Sequence, residues 1–506
     1  MNIRQSVGLF LLGVFLLVPA CKKSSKEQVQ GPAPSGGKAP SKGDALFLAE
    51  APVVIPPELL TDFDGMGIGK LYVPGAALTA QGALKPFPPS PEKIARPVVL
   101  VLMGENGAEA QFRADAKGDE IANSWAPAIR KLLDDAKPWA DVVGLHLHVL
   151  PAPAQAEVLA AVCKKLKGIA RLPVSVTLPA DAPPESWKPL SGAADEALVF
   201  SYGRRPENGN RVVTELSEAT AKDFPLPFRI LIVPGGYGFA SKDGVSGRKM
   251  SDGEIDRLSE DRNLDFGFGE VLSSTPGNTY RFKPRQGFEN NKTLLAADGG
   301  YASFQVLSHG DLLKFLAAVA KWPAPSFKGR VFMVDGLPTD GHLLGFPALR
   351  AILTGKPVDP KLVIETVPTG GGRGFAEFKL KVENQGDTPS DLSRFNNFIK
   401  VRVEGGVLVK VNAGDYDRYE LLEKDVEKSP IAPFGRATVT HIYENFFAPR
   451  EASVVGPIRV SGSRPRVFFS YQMTLGDGRA VKGEEIEVAL SMPKPEPAKP
   501  KAKGKK

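Results

Sequence analysis

The chain of 506 residues reads as an α/β protein, a (β/α)8 TIM-like barrel followed by an all-β sandwich. Three observations predict this. Between Pro97 and about Gly355, short β-branched runs alternate with helix-period segments, and strand, helix, strand in that order requires parallel pairing with right-handed crossovers. Beyond Pro357 the helical period disappears, and short runs alternate apolar with polar residues between turn residues, as antiparallel strands with one face on a core do. The roughly 450 residues between two low-complexity ends are more than one ordinary core accommodates, so at least two domains are expected.

The N-terminus reads as an export signal. Arg4 supplies a short positive region and Val7 to Val18 an apolar run, of signal-peptide length and too short to favour a membrane-spanning helix. The stretch Val18-Pro19-Ala20-Cys21 looks like a lipobox, in which a small residue precedes a cysteine that is lipidated and becomes the new N-terminus. Lipidation, with palmitate among the attached acyl chains, is therefore expected at Cys21. Lys22 to Lys42 lacks aromatic and almost all aliphatic residues, so it cannot bury enough surface to offset the entropy of ordering, and it reads as a disordered tether.

Charge excludes one class of partner. The net charge is +7, but residues 1 to 43 hold six basic and one acidic residue, and the tail from Pro493 holds the same numbers. The body between them therefore carries −3, which removes the electrostatic case for nucleic acid. The lysine- and proline-rich tail is expected to be extended and solvated. Of the two cysteines, Cys163 falls in a helix-period run and reads as a small buried hydrophobe; with Cys21 lipidated, no disulfide framework is possible.

In chain order the barrel strands are read at Pro97 to Met103, Asp141 to Leu150, Leu172 to Leu178, Ala197 to Tyr202, Phe228 to Val233 and Gly329 to Val334. Helices are read at Ile121 to Asp135, Ala154 to Lys167, near Trp187, and at Thr214 to Asp223, Asp252 to Asp261, Gly310 to Lys321 and Leu343 to Thr354. Six strands leave a barrel short, and Asp265 to Phe304 is where one or two more are expected. An open doubly wound sheet also accommodates six strands, but no Gly-x-Gly-x-x-Gly joins a first strand to a helix, whereas a length near 250 residues suits a (β/α)8 barrel. The later strands are read at Lys361 to Thr366, Phe375 to Asn384, Phe398 to Val403, Val407 to Val411, Ala437 to Tyr443, Ile458 to Ser461, Arg466 to Leu475 and Glu484 to Leu490, a number that suits a β-sandwich. The expected division is residues 1–20 signal, 21–44 tether, 45–356 barrel with an N-terminal extension, 357–490 sandwich and 491–506 tail.

Several segments carry a resemblance. VVGLHLHVLPAP from Val142, LPVSVTL and ALVFSYG further on, PFRILIVPGGYGF at Pro227 to Phe239, and RVFMVDGLPTDGHLLGFPALRAILTGK at Arg330 to Lys356 together resemble an uncharacterised family of bacterial lipoproteins with a glycoside-hydrolase-like barrel. The resemblance covers roughly residues 97 to 356 and rests on the order of the motifs. It implies a barrel whose active end lies at the C-terminal ends of the strands. In that family one strand carries Asp-Tyr-Asp near that end; this chain has Gly144-Leu145-His146-Leu147-His148.

Glycoside hydrolysis ordinarily needs two carboxyl groups, and imidazoles do not replace them simply. The best surviving pair is Glu105 with Asp335, read as following the first and last strands and hence as neighbours in a closed barrel; solvated loop residues are the alternative. His146 and His148, two apart on a strand, face one side, as pocket-lining or satisfied core histidines; no third ligand supports a metal, and no cofactor is expected. Tyr202, Arg204 and Tyr237 are candidates for a sugar-stacking and hydrogen-bonding floor. Asp195 and Glu196 precede their strand, at the stability end of a barrel.

Three functions follow as expectations. The first is a lipid-anchored envelope protein that binds carbohydrate, polysaccharide or peptidoglycan, without turnover. The second is an active glycoside hydrolase using Glu105 and Asp335, and the third a structural or partner-binding surface lipoprotein. Lys22 after the cysteine, rather than an aspartate, points to the outer membrane.

Overall fold

The computed structural model describes residues 43–105, 107–201, 223–241, 247–250, 254–261, 263–268, 278–285, 301–306, 309–322, 325–334, 337, 344–356, 358, 360–372, 374–393, 395–426, 429–475 and 479–488. Eight strands pair in parallel around a closed ring. They are β1 (Asp44–Leu48), β2 (Ile68–Leu78), β4 (Pro97–Gly104), β5 (Asp141–His148), β6 (Val174–Pro179), β7 (Glu196–Phe200), β8 (Phe228–Ile232) and β14 (Phe327–Val334). The short β3 (Leu84–Pro86) pairs antiparallel with β2, outside the ring. Closure comes from β1, which pairs β2 on one side and β14 on the other, with Ala45 opposite Val331 and Phe47 opposite Met333.

The barrel thus begins earlier than its sequence suggests. The two missing strands are β1 and β2, in the stretch read as an N-terminal extension, and Pro97–Gly104 is the third strand rather than the first. β2 was obscured by Pro74 and Gly75, which ordinarily mark turns. Here the pairing of β2 with β4 shifts register between Pro74 and Ala76, so the residue that cannot donate sits at a bulge.

Asp265 to Phe304 does not complete the barrel. Its strands belong to a five-stranded antiparallel sheet of β9 (Gly236–Ser241), β10 (Gly247–Met250), β11 (Leu264–Phe268), β12 (Asn278–Pro284) and β13 (Tyr301–Val306), inserted between β8 and β14. This sheet packs Tyr280, Phe282 and Phe304 with Leu392 and Phe446 of the C-terminal region in one core.

Helices cover the barrel. Gly118–Ala136 buries Trp125, Ile129 and Leu132, and Ala156–Ala170 buries Leu159, Val162, Cys163 and Leu166, stripes at helical spacing that face the strands. A 3-10 segment, Pro184–Leu190, buries Trp187. Further helices are Glu58–Met66, Glu254–Glu260, His309–Val319 and Phe346–Leu353; the helix expected over Thr214 to Asp223 lies almost wholly outside the described residues.

The C-terminal strands form one continuous antiparallel sheet of eight, from β15 (Leu362–Gly372) to β22 (Ile486–Val488), rather than two hydrogen-bonded sheets. Two expected pairs of strands are single long ones: β17 (Phe398–Val411) and β20 (Ala452–Thr474). Both pass through glycines that lie between the runs read as separate strands. Gly405 has φ +65 and a side chain on Gly462 would meet the Gly405 carbonyl at 2.4 Å, so the strands approach at that bend too closely for any Cβ. Inward residues from β15 to β22 share one core that includes Phe378, Ile399, Val401, Val460 and Val488.

Candidate binding site at the barrel mouth

The interior of the barrel is not a plain aliphatic core. A line of polar side chains runs through it from one end to the other. At the N-terminal end, Glu196 at the start of β7 takes Arg229 Nε at 2.7 Å and Lys70 Nζ at 3.2 Å. The Tyr72 hydroxyl donates to the same carboxylate at 3.2 Å. Burial, and then the Glu196 charge, hold the Tyr72 phenol well above its ordinary pKa, so it remains a donor. Burial also lowers the Lys70 ammonium, against the attraction of Glu196.

Ser175 on β6 lies 2.9 Å from His146 Nδ1 and reaches the Leu145 carbonyl at 3.4 Å. His146 Nε2 is 2.8 Å from Thr177 Oγ1, and Thr177 Oγ1 is 2.8 Å from His148 Nδ1. The strand period explains the alignment: His146 and His148 on β5, and Ser175 and Thr177 on β6, are each two residues apart and so share the inward face. Register supplies the rest, with His146 opposite Ser175.

His146 is wholly buried, with Phe47 and Tyr72 edge-on at 6.0 and 5.4 Å. Burial, with Lys70 adding repulsion, pushes its pKa down to about 3. It is a neutral core histidine with both nitrogens engaged, and it does not line the mouth. His148 ends β5 at 6 % exposure, with Phe47 at 4.9 Å and Phe200 at 6.5 Å. It stands at the C-terminal end of the fourth barrel strand.

Glu105 follows β4 and is exposed; its backbone N–H donates to the Leu78 carbonyl at 2.9 Å. Because β1 and β2 stand between β4 and β14, Glu105 and the residue after Val334 are three strands apart around the ring. The expectation that they sit on neighbouring strands fails for that reason. Asp335 itself, like Cys21, Tyr202 and Arg204, lies outside the described residues. Tyr237 belongs to β9, opposite Gln305 in the inserted sheet, and not to a bare turn after a barrel strand. Among the described residues, the carboxylates within two residues of a barrel strand's C-terminal end are Glu50 and Glu105, both exposed, and Asp181, half-buried.

At the opposite end, Asp195 takes Lys167 Nζ and the Val174 backbone N–H, each at 2.8 Å. Cys163 is fully buried, which pushes its thiol up to about 12 and keeps it unreactive. Among the described residues no group of three or more His, Cys, Asp or Glu could hold a metal ion, and no helix is long and apolar enough to cross a membrane.

Sequence reading singled out the histidines but not their partners. Ser175 and Thr177 carried a signal, an i, i+2 polar pair inside an apolar strand that matches the histidine pair. Tyr72 carried none, since only the closed ring brings β2 across to Glu196, which reads by sequence only as a residue at the stability end of its strand.

No protein-family model matches this sequence, and no curated protein does. Among solved structures, the spore cortex-lytic enzyme SleL of Bacillus megaterium QM B1551 is 14% identical, covers 63% of this chain and 76% of its own, and has a TM-score of 0.36. SleL of Bacillus cereus is 15% identical over 63% of this chain and 75% of its own, with a TM-score of 0.37. A class V chitinase from Pseudomonas fluorescens Pf-5 is 11% identical over 62% of this chain and 99% of its own, also with a TM-score of 0.37. The barrel is read from this chain's own strand order.

Proposed function

We propose that the protein is a lipid-anchored envelope protein whose glycosidase-like barrel binds carbohydrate without hydrolysing it. The observation that carries this reading is the end of β5. Where the resembled family places an acidic motif, this chain places His146, engaged on both nitrogens, and His148, tied to Thr177. No carboxylate follows within two residues, since Val149 and Leu150 come next. An acid and a nucleophile or base are both needed for glycoside cleavage, and Glu105 is an exposed group beyond β4. The signal and lipobox ending at Cys21 support the anchor, and the tether supports a body held off the membrane.

The second reading, a glycosidase, is favoured by one feature: Glu105 and Asp335 follow strands at the same end of the ring. One experiment separates the two. Purified protein is incubated with peptidoglycan, chitin and xylan, and bound protein and released reducing ends are measured together. Binding without release supports the proposal. Release abolished by Glu105→Gln or Asp335→Asn replaces it with the glycosidase, and neither binding nor release moves the protein to a structural role.

A further inference from the structure

The outward side of the C-terminal sheet carries aromatic rings where a solvated sheet ordinarily carries polar chains. Along β17, Ile399, Val401 and Val403 are buried in the core, so Phe398, Lys400 and Arg402 face outward, each half-buried. Register puts their neighbours on the same side. Tyr443 and His441 of β19 (Val439–Tyr443) stand opposite Phe398 and Lys400, and Phe468 of β20 stands opposite Arg402. Next along, β18 (Arg418–Leu422) places Arg418 opposite Tyr443.

Flat cations hold these rings in place. The Arg418 guanidinium lies between two of them, 4.3 Å from the Phe395 centroid and 4.4 Å from that of Tyr443. His441 stacks on Phe398 at 4.3 Å and 21°. Further along, Arg402 and Arg466 stand 4.3 and 4.9 Å from the Phe468 ring. Each of these guanidiniums is gripped through two nitrogens, by Glu485 and Glu487 respectively. Four residues of strand separate Phe398 from Arg402, which sets the two aromatic groups about 13 Å apart. Phe395 is 63 % exposed; one guanidinium covers one face of a ring, so the other face is open to water.

We propose that this outer side of the C-terminal sheet is a binding platform for an extended, neutral glycan chain, whose sugar rings stack on Phe395 and on the Phe398–His441 pair and run on towards Phe468. Rings already fixed by their neighbours lose little freedom when a ligand settles on them. Charge selects the partner: Arg402 and Arg466 are each paired to carboxylates and Lys400 to Asp425, so the surface presents no strong field of one sign to a polyanion or a polycation. It presents apolar ring faces beside hydrogen-bonding groups, which is what the apolar faces and hydroxyl edges of a pyranose require. The ligand class rests on the carbohydrate reading above, but the site lies on the C-terminal sheet and not in the barrel.

Hydroxyl-radical footprinting of the full-length protein, read peptide by peptide in a mass spectrometer, tests the platform. Oxidation of Phe395 and Phe398 should fall on addition of cellohexaose, chitohexaose or xylohexaose, with at least one of the three. In Phe395→Ala the glycan concentration that half-protects Phe398 should rise about tenfold; Phe395→Tyr keeps the ring and should leave it unchanged, which guards against a variant that merely misfolds. Rising salt should leave that concentration nearly constant. Protection confined to barrel-mouth peptides, or half-protection unmoved in Phe395→Ala, overturns the platform and leaves the carbohydrate reading standing. Protection nowhere, with none of the three glycans bound, overturns both. Protection of Phe395 that grows with protein concentration in the absence of glycan assigns the surface to a second copy of the chain, and steep weakening by salt assigns it to a charged partner; either result overturns the proposal.

Discussion

The Asp44 carboxylate, fully buried at the start of β1, accepts from Arg330 of β14 through its Nε and its backbone N–H, each at 3.0 Å. These two residues are 286 apart in sequence and stitch the seam where the ring of strands closes. Nearby, Arg229 donates to the carbonyl of Gly43, so the residue before β1 is held as well. The closure is built from charge at the strands' N-terminal end, where barrels keep their stabilising contacts.

Asp44→Ala removes one member of a buried pair and leaves Arg330, only 15 % exposed, without that partner. Loss of about 3 to 5 kcal/mol is expected, read as a lower urea midpoint. The double change Asp44→Ala with Arg330→Met should lose less than the single one, because no charge is then stranded. A double variant at least as unstable as Asp44→Ala would contradict the pairing.

His146 gives stability a pH dependence. Its folded pKa is about 3, while an unfolded histidine titrates near 6.5. Between these values the unfolded chain binds a proton that the folded chain does not, so stability falls as pH drops through this window, at up to about 1.4 kcal/mol per unit. Above pH 6.5 both states are neutral and this contribution is flat. His146→Asn should flatten the slope between pH 6.5 and 3 by roughly one proton, measured from denaturation midpoints across that range.

Six of the eight barrel strands were legible because each is a buried run of Val, Leu, Ile and Phe bounded by breakers. The other two were hidden for local reasons. β1 is five residues, DALFL, directly behind a low-complexity tether, and β2 carries Gly69, Pro74 and Gly75. The inserted sheet shows why alternation alone misassigns: Tyr280 and Phe282, like Ala302 and Phe304, alternate inward, but nothing local says whether such strands pair in parallel. The site was half legible. His146 and His148 announced a shared face, whereas their binding to Ser175 and Thr177 depends on strand register, and the link to Tyr72 and Glu196 on closure.

Two glycines should respond oppositely to alanine. At Gly462 a methyl would stand 2.4 Å from the Gly405 carbonyl and 2.8 Å from Gly406 Cα, backbone that cannot step aside, so Gly462→Ala should cost about 1 to 3 kcal/mol. At Gly168, exposed near the end of the helix Ala156–Ala170, nothing lies within 4 Å, and Gly168→Ala should stabilise by about 0.5 to 1 kcal/mol. Thermal melts of the two variants in one buffer compare them directly.

The anchor is testable without a ligand. If Cys21 carries the lipid, cells labelled with palmitate incorporate it into the wild-type band, and Cys21→Ser abolishes the label and releases the protein from the membrane pellet. A single acyl chain holds a protein only marginally, whereas several hold it stably, so complete loss rather than partial release is expected. Continued labelling of Cys21→Ser would reject the lipobox.

The last prediction concerns the C-terminal sheet, which by sequence pattern alone is a candidate for independent folding from Val358 to Leu490. Its core is shared in two parts: one belongs to the sheet itself, from Phe378 to Val488, but Leu392 and Phe446 are buried against Tyr280, Phe282 and Phe304 of the inserted sheet. The Asn445 side chain donates to the Ser259 carbonyl at 3.1 Å, and the Tyr280 hydroxyl donates to Asp391. Excision would expose both apolar side chains and leave Asn445 and Asp391 without these partners, at about 1.5 to 3 kcal/mol for each large apolar residue. The excised fragment should therefore be less stable than the same region in the whole protein, and Leu392→Ser with Phe446→Ser should make it more soluble while weakening the full-length protein. Limited proteolysis that released a fragment as stable as the intact region would show that the contact with the inserted sheet contributes little.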